Sequence, residues 1–515
     1  MSDHASPVLI VGAGAAGSML ALELSRYGVD YRLVDRLPQA SAFSRAVTVH
    51  ARTLEILERI DPVLVQRFLD LGIHCPGYVM HFVGKDQRRH EVRPGLDFTR
   101  LPSRYPFLLL NAQNDTEGLL QQYLKEKFQR VPEWGVSCGT LELQDDAVTA
   151  ELLHADGRSE RSRFRYVVAC DGAGSRIRQQ LGLQQDGSDY AGTVLQNLDV
   201  AIDGFPDDVQ MAHYCMGPGH FVMVVKLPRG CFRLLMSQTA DTADAQATPQ
   251  QVFSDILAQH FDGLRFGRTQ WHSRWQSHIR LAEHYRKGNV FLAGDAAHIH
   301  STAGGQGMNC CMQDSFNLGW KLALVLQGKA SPSLLDSYES EHKPIGAQVI
   351  AAASQIHELF MAGRTSTPQE VVALQRSGAL SALVDKVSGL AYHYRPADSG
   401  TRALPQAGDR APNAVLPAEP GSWVHDRIRH TGFTLLAALP HAAGATAAAA
   451  TLQRLAQAHA GLVHTAVLAP APSAYVQTEG PAQLYVVRPD GYLALRVELD
   501  AAQQAAAWLS GFVPH

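Results

Sequence analysis

Residues 7–35 read PVLIVGAGAAGSMLALELSRYGVDYRLVD. Pro7 to Val11 is a short apolar run of strand type, and Gly12, Gly14 and Gly17 follow as G-x-G-x-x-G. A helical pattern then carries Met19, Leu20, Leu22 and Leu24. A second strand-like run, Tyr31 to Val34, ends on Asp35. Strand, glycine turn, helix, strand and then an acid is the fingerprint of a dinucleotide site. The first glycine allows the tight turn, the second lets a pyrophosphate approach the backbone, and the third lets helix and strand pack closely. The helix N-terminus offers unpaired N–H groups and a partial positive charge to phosphates. Asp35 would accept ribose hydroxyls. Glycine turns without a ligand are common, and the flanking pattern is what makes this one informative.

Working outward, the chain of 515 residues is too long for one ordinary core, so two or three domains are expected. A hydrophobic share of 46% with 18% charged residues is a globular composition. The net charge of −4 gives no argument for a nucleic-acid partner. No run of 18 apolar residues occurs, so no membrane span is expected. The first strand starts within a few residues of Met1, which leaves no room for a signal peptide. Seven cysteines without a C-x-x-C fit a reduced, cytoplasmic compartment.

Beyond Asp35 lies Arg36, then Ser44-Arg45-Ala46-Val47-Thr48-Val49-His50-Ala51-Arg52 runs into a helix marked by Leu54, Leu57 and Ile60. This basic stretch is either a solvated loop or a face for a phosphate or an anionic ring. Residues 78–110 read as strands and turns, with Arg88, Arg89 and His90 as an exposed turn. A helix is expected from about Asn111, with Asn114 and Glu117 as a capping-box-like pair. A strand from Phe164 to Cys170 leads to Asp171-Gly172-Ala173-Gly174-Ser175-Arg176-Ile177-Arg178, a second strand–turn–helix junction whose backbone N–H groups could meet a nucleotide.

Residues 186–285 alternate in strand fashion over Val194–Ile202, Val209–Met216, His220–Leu227 and Cys231–Gln238, with a helix over Pro249–His260. The pattern predicts an antiparallel sheet with one buried and one exposed face, suited to wall a substrate cavity. The strand Asn289–Ala293 then leads into Gly294-Asp295-Ala296-Ala297-His298. The run Ser301-Thr302-Ala303-Gly304-Gly305-Gln306-Gly307-Met308-Asn309 opens a long helix. His298 and His300 have no carboxylate or cysteine at ligand spacing, so no metal is expected. Cys310 and Cys311 read as buried small residues. Helices are expected over 333–393, broken near Pro344. Residues 395–421 read as a linker or long connection. Strands at Phe433–Leu439, Val463–Leu468, Leu484–Val487 and Tyr492–Val497 follow, the last two flanking a hairpin signal at Pro489-Asp490-Gly491. The alanine-rich stretch Ala442–Ala450 reads as helix or linker, and Ala501–Leu509 as a closing helix.

The three motifs in this order, G-x-G-x-x-G, D-G-x-x-S-x-x-R and G-D-A-A-H, resemble the FAD-dependent aromatic hydroxylases, the class A flavoprotein monooxygenases. G-G-Q-G-M-N at 304–309 and N-L-G-W-K-L-A at 317–323 look more narrowly like the branch containing phenol hydroxylase and the polyketide hydroxylases. The resemblance covers residues 7 to about 360. It implies an α/β fold with three parts: a discontinuous Rossmann-type FAD-binding domain (1–185 and 286–394), an inserted antiparallel-sheet substrate domain (186–285), and a thioredoxin-like domain (395–515). The last domain has no cysteine for thiol–disulfide exchange. Gly12, Gly14 and Gly17 would then hold the FAD pyrophosphate, Asp35 the adenosine ribose, and Arg36 would lie beside the adenine. Arg45 and Gln113 would contact the cofactor along its length, Asp171 would serve FAD and NAD(P)H, and Asp295 would bind the ribityl chain. Gly307, Met308 and Asn309 would face the isoalloxazine with their backbone, and Ala46 and Val47 would lie where flavin meets substrate. Relatives usually carry prolines where this chain has Ser301 and Thr302, which exchanges turn stiffness for a hydroxyl near the flavin's reactive edge.

The activity implied is hydroxylation of an electron-rich, phenolic ring with NAD(P)H and O2 through a flavin C4a-hydroperoxide, by a homodimer without nucleic-acid or membrane partners. The flavin carries the chemistry and the protein positions it. A group must reach the phenolic hydroxyl. His213 and Tyr214 are the candidates, with His220 and His50 behind them and Thr302 at the flavin edge; each is also readable as structural. Phe221, Met223, Leu234 and Met236 either line an apolar pocket or form the sheet's ordinary buried face. Two alternatives stand: Baeyer–Villiger or epoxidising oxygen insertion on a polyketide-like substrate, and an FAD-dependent reductase or flavin carrier that does not activate oxygen.

Overall fold

The computed structural model describes residues 6–42, 45–206, 210–239, 247–361, 367–396 and 403–512; Ser44 and Val209 lie outside the described residues. In chain order the first part comprises Val8–Val11 (β1), Ala15–Arg26 (α1), Tyr31–Asp35 (β2), Ala51–Ile60 (α2), Gly77–Val83 (β3), Arg89–Asp97 (β4) and Gln113–Phe128 (α3). The middle comprises Tyr166–Ala169 (β5), Arg176–Gln180 (α4), Asp189–Asp203 (β6), Ala212–Gly217 (β7), His220–Lys226 (β8), Phe232–Thr239 (β9), Pro249–His260 (α5) and Arg265–His278 (β10). Then come Val290–Leu292 (β11), Gly307–Leu326 (α6), Asp336–Ile356 (α7), Phe433–Ala438 (β12), Ala445–Gln457 (α8), Val463–Leu468 (β13), Gln483–Val487 (β14), Leu493–Glu498 (β15) and Gln503–Phe512 (α9).

β1 is fully apolar and lies between β2 and β5, parallel to both, so Ile10 stands opposite Leu33 and Val168. β11 extends the same parallel sheet through Val168 and Phe291. This topology puts the glycine turn, Asp35, Asp171 and Gly294–Asp295 at one edge, because each follows or ends a parallel strand. The carboxyl edge of such a sheet is where ligands bind. Helix α6 packs along α1 above it.

The second sheet runs β10-β6-β9-β8-β7-β3-β4 among the described residues. It differs from the antiparallel sheet expected over 186–285. β3 and β4, from residues 77–97, complete it, and β7 pairs with β3 in parallel. A local pattern cannot show such a pairing, because the partner strands are about 135 residues apart. Arg89 and His90, expected in a turn, start β4, although both are exposed. Alternation along the strands gives the sheet two faces. The back face (Leu198, Val200, Cys215, Val222, Val224, Leu234 and Met236) packs with Phe253 and Leu257 of α5. The front face joins the main core through Leu195, Tyr214, Met216, Phe221 and Leu235.

Two local expectations are corrected. Asn114 caps nothing: α3 starts at Gln113 after Ala112, without a side-chain cap, because Glu117 is turned toward α1 instead. Pro344 lies inside α7 without breaking it. It sits at an exposed position, so its missing N–H is lost on the wet side while Ile345 and Val349 hold the buried side. The C-terminal sheet runs β13-β12-β14-β15, with β13 parallel and β14 antiparallel to β12.

Candidate active site

At the glycine turn the backbone makes the site. Gly12 has φ +106°, and a Cβ there would lie 2.2 Å from the Cys170 carbonyl oxygen. A Cβ on Gly17 would lie 1.8 Å from the Gly12 carbonyl oxygen, so only glycine lets α1 sit this close to β1. At Gly14 a Cβ would meet only Glu117 Oε1, at 3.5 Å; that side of the turn is open. The first intrahelical bond of α1 is Ser18 N–H to Gly14 O, 2.9 Å, leaving the Ala16 and Gly17 N–H groups free for an anion. Asp35 accepts from Ala13 N–H and Leu37 N–H, both at 2.8 Å, and so braces the turn from β2. Arg36 is exposed beside it.

Glu117, absent from the sequence-based list of site residues, links this turn to the next segment. Its Oε1 accepts from Ala15 N–H at 3.2 Å and from Gln113 Nε2 at 2.9 Å. Burial raises its pKa, and these donors oppose the rise. Gln113 Oε1 accepts from the Arg45 and Ala46 N–H groups at 3.3 and 3.4 Å. A polar line therefore runs from the glycine turn to Arg45, whose guanidinium lies 5.6 Å from the Trp275 ring, and on to buried Val47.

Asp171 Oδ2 accepts from Arg176 N–H at 2.9 Å at the start of α4, while its Oδ1 is buried without a partner. Asp295 is exposed, and the Cys311 thiol donates to it at 3.4 Å. Gly307, Met308 and Asn309 open α6, ahead of its first bond, Cys310 N–H to Gln306 O at 2.8 Å. Asn309 does more with its side chain than its sequence position suggests. It accepts from His50 N–H at 2.8 Å and donates to Thr48 O and Gly305 O, each at 2.9 Å. His50 Nε2 donates to Gly304 O at 2.9 Å, which leaves Nδ1 as a buried acceptor without a partner. Burial pulls the His50 pKa down to about 4 against its bond to Gly304, so the ring is neutral at pH 7. The Thr302 hydroxyl oxygen is likewise buried, with no partner among the described residues. Open space at Gly14 and unsatisfied atoms on Asp171, His50 and Thr302 fit a long polar cofactor laid along this edge. FAD is such a group.

The front of the mixed sheet continues from His50 by aromatic contact. His50 lies 6.4 Å from Phe98, Phe98 lies 6.4 Å from Tyr78, and Tyr78 lies 4.4 Å from Tyr214. Phe221 and Phe360 flank Tyr214 at 5.0 and 5.6 Å. The Tyr214 ring lies against that of Tyr78, and burial holds the Tyr214 pKa above the usual phenol range. Tyr214, Phe221 and half-buried Met223 thus share the front.

His213, His220, Leu234 and Met236 are on the other face, because each is one residue out of phase with the front. His213 Nδ1 meets His81 Nε2 at 3.0 Å, and Phe205 lies 5.0 Å from the ring. His220 Nε2 meets His260 Nε2 at 2.9 Å. A back-face cavity of about 250 Å³ is lined by His81, His213, His260 and Phe261. Arg233, passed over in the sequence, stands on the front. It is paired with Asp199, lies 4.9 Å from Trp271 and donates to Arg45 O at 3.3 Å.

No carboxylate or cysteine stands at ligand spacing from His298 in the sequence, yet the fold brings both to it. The first turns of α6 bring Cys310 Sγ to 3.6 Å and Asp314 Oδ2 to 2.7 Å from His298 Nε2. Helical spacing of four residues puts both on one face. Asp314 also accepts from Gly294 N–H at 2.9 Å and His342 Nδ1 at 2.7 Å. Both carboxylate oxygens are therefore filled by protein donors, a set of hydrogen bonds that holds the Asp295 loop. Burial opposes the charge on Asp314, but the two histidines keep its pKa well below the usual carboxylate range. Among the described residues no helix is long and apolar enough to cross a membrane, and the seven cysteines are free.

The FAD binding domain family matches residues 5–353. Pentachlorophenol 4-monooxygenase of Sphingobium chlorophenolicum is 38% identical over 84% of this chain and 79% of its own length. 6-Methylpretetramide 4-monooxygenase of Streptomyces rimosus is 33% identical over 95% of this chain and 90% of its own. Among solved structures, a ternary complex of aklavinone-11 hydroxylase with FAD and aklavinone superposes with a TM-score of 0.78 at 25% identity, covering 99% of both chains. Anhydrotetracycline hydroxylase from Streptomyces rimosus gives 0.75 at 27% identity, covering 98% of both. The chain belongs to the FAD binding domain family of flavoprotein monooxygenases.

Proposed function

We propose that this chain hydroxylates an electron-rich, phenolic ring, with FAD as cofactor and NAD(P)H and O2 as co-substrates. The observation that carries the phenolic reading is the ring path from His50 through Phe98 and Tyr78 to Tyr214. It joins the loop before α6 to an aromatic wall that carries two tyrosines, Tyr78 and Tyr214. FAD, when bound, supplies the electron transfer and oxygen activation. The glycine turn and Asp35 hold its pyrophosphate and ribose, with Arg36 at the adenine. Arg45, Gln113, Asp171 and Asp295 extend along it, and the N–H groups of Gly307, Met308 and Asn309 face the ring system. Tyr214, still protonated at pH 7, orients the substrate hydroxyl through its own hydroxyl. Phe221, Met223, Phe360 and Val47 keep water out. His213, His220, Leu234 and Met236 have no place in this scheme.

The two relatives named above act, by their names, on pentachlorophenol and on 6-methylpretetramide, and a phenolic substrate here is in keeping with the first. The unpartnered Thr302 hydroxyl favours one second reading, a flavin reductase that does not activate oxygen, because the stiffening prolines of the resemblance are missing there. We further propose the discontinuous FAD-binding domain and the substrate sheet, the latter extended by β3 and β4. A thioredoxin-like last domain is supported by the β13-β12-β14-β15 order flanked by α8 and α9. A homodimer in the cytoplasm completes the reading, and sedimentation tests the dimer. The deciding assay is NAD(P)H oxidation by the FAD-loaded protein with phenols and polycyclic phenols, following oxygen and hydrogen peroxide together. Stimulated oxidation with little peroxide is expected. Anaerobic turnover of another acceptor, with no ring stimulating oxygen use, would sink the hydroxylase.

A further inference from the structure

The hairpin between β14 and β15 puts Asp490, 1% exposed, against helices of the cofactor-binding region. Asp490 Oδ2 accepts from Trp320 Nε1 at 3.2 Å and Asn317 Nδ2 at 3.3 Å, both on α6, and from Arg488 at 2.6 Å. Its carbonyl oxygen accepts from Arg52 on α2 at 2.8 Å. Arg52 also lies 5.1 Å from the Tyr492 ring, and Arg59 of α2 donates to Pro489 O at 3.4 Å. Arg488 binds Glu341 of α7 through both nitrogens, at 2.6 and 2.8 Å, and Lys321 of α6 joins it at 2.7 Å.

Two arms lead from this hairpin to the cofactor edge. In the first, Asn317 donates to the Tyr394 hydroxyl at 3.1 Å, and that hydroxyl meets His342 Nε2 at 3.1 Å. His342 binds Asp314, and Asp314 holds Gly294 N–H beside Asp295. The second arm is α2 itself. Arg52 sits two residues after His50, which is tied to Gly304 and Asn309. Apart from half-buried Tyr394 the members of both arms are buried, and the first arm is hydrogen-bonded link to link, so a shift at Asp490 is passed on rather than absorbed.

We propose that the Arg488–Tyr492 hairpin is a positioning element for the cofactor loops, with Asp490 setting the placement of α2 and α6 and hence of the 294–309 segment. Its role exceeds a structural cap on the fold, and it rests on the FAD reading given above. Removing the Asp490 charge leaves Arg52, Arg59 and Arg488 under-compensated in a buried site.

The test uses the full chain. Asp490→Asn keeps the shape and removes the charge, Trp320→Phe removes one donor, and Phe253→Ala weakens the back-face cluster far from both helices. FAD affinity, the visible circular dichroism of bound FAD and the melting temperature are read for each. Asp490→Asn should weaken FAD binding about tenfold and alter the dichroism, with Trp320→Phe between it and the parent. Phe253→Ala should melt earlier while binding FAD as the parent does. Parent-like affinity and dichroism in Asp490→Asn and Trp320→Phe would overturn the proposal while leaving the FAD reading intact. A parent protein that binds no FAD would overturn that reading instead. The hairpin would then be judged by amide exchange in residues 294–309, faster in Asp490→Asn if it positions them and unchanged if it does not.

Discussion

In the proposed function the glycine turn and the mixed sheet would meet ligands with different parts of the chain. At the turn the backbone would do the binding, and side chains are excluded: a Cβ on Gly12 or Gly17 would overlap a carbonyl oxygen. At the sheet the backbone is spent on pairing, and a ligand would meet whichever side chains face forward. A backbone site is fixed by spacing along a few residues. A side-chain site is fixed by register, so neighbours in sequence end on opposite faces. His213 and Tyr214 are adjacent, yet one stacks behind the sheet beside His81 and the other stands in front beside Tyr78.

The largest effects should come from the turn. Gly17→Ala forces a contact of 1.8 Å onto the Gly12 carbonyl oxygen and should abolish FAD binding together with stable folding. Gly14→Ala separates the two, since its Cβ meets only Glu117 Oε1 at 3.5 Å, an ordinary contact distance. It should melt within a degree or two of the parent and bind FAD at least about tenfold more weakly, because it crowds the pyrophosphate alone. Equilibrium FAD titration beside thermal melts checks both. A Gly14→Ala protein with full affinity would mean that the pyrophosphate lies elsewhere.

The sheet should then split by face. Tyr214→Phe should lower kcat/KM for a phenolic substrate about 10²-fold, with FAD affinity kept. His213→Gln should leave kcat/KM within about twofold, since its ring is turned toward Phe205 and His81. Equal losses in the two variants would break the division of faces. Leu234→Ala sharpens it from the other side. The residue is fully buried in the back cluster, so denaturant unfolding should show a loss of about 2–5 kcal/mol while KM stays unchanged.

The same contrast accounts for what the sequence reveals. Gly12 to Asp35, Asp171 and Asp295 are readable because each follows a short apolar strand, and strand plus turn is a local signal. The helix Pro249–His260 is also readable to the residue, with Pro249 at its first position and Thr248 and Gln251 closing the cap. The two faces of β7 to β9 are not readable, since both are apolar: Phe221 and Val222 are equally buried, one forward and one back. Only the pairing of β7 with β3 and the packing of α5 decide which is which. The same holds for Glu117, Arg233 and Asp314. Their distant partners lie 102, 34 and 16–28 residues away, and no local pattern reveals those contacts; the capping pattern at Glu117 points to a different role. The i, i+4 spacing of Cys310 and Asp314 was the one available hint.

The smallest expected effect concerns acid stability of the back face. Burial, helped by His220, His81 and Arg89, pulls the His260 pKa down to about 3, against about 6.5 in the unfolded chain. Below 6.5 the unfolded state therefore binds the proton and the folded state does not. The stability contribution is complete above pH 6.5 and falls as pH drops toward 3, by at most about 1.4 kcal/mol per pH unit. His298 runs the other way. Burial works against its charge, but Cys310 and Asp314 override it and hold its pKa well above 6.5, so its contribution is present below 6.5 and lost as pH rises through the folded value. Unfolding free energies of the parent and His260→Gln between pH 7 and 4.5 isolate the back-face part, because the His298 contribution cancels in the difference. The variant, still able to hydrogen-bond His220, should lose the steeper acid slope. It should also keep the parent's pH profile for kcat/KM, since His260 faces away from Tyr214. A changed activity profile with an unchanged acid slope would put His260 on the substrate side and reverse the assignment of the faces.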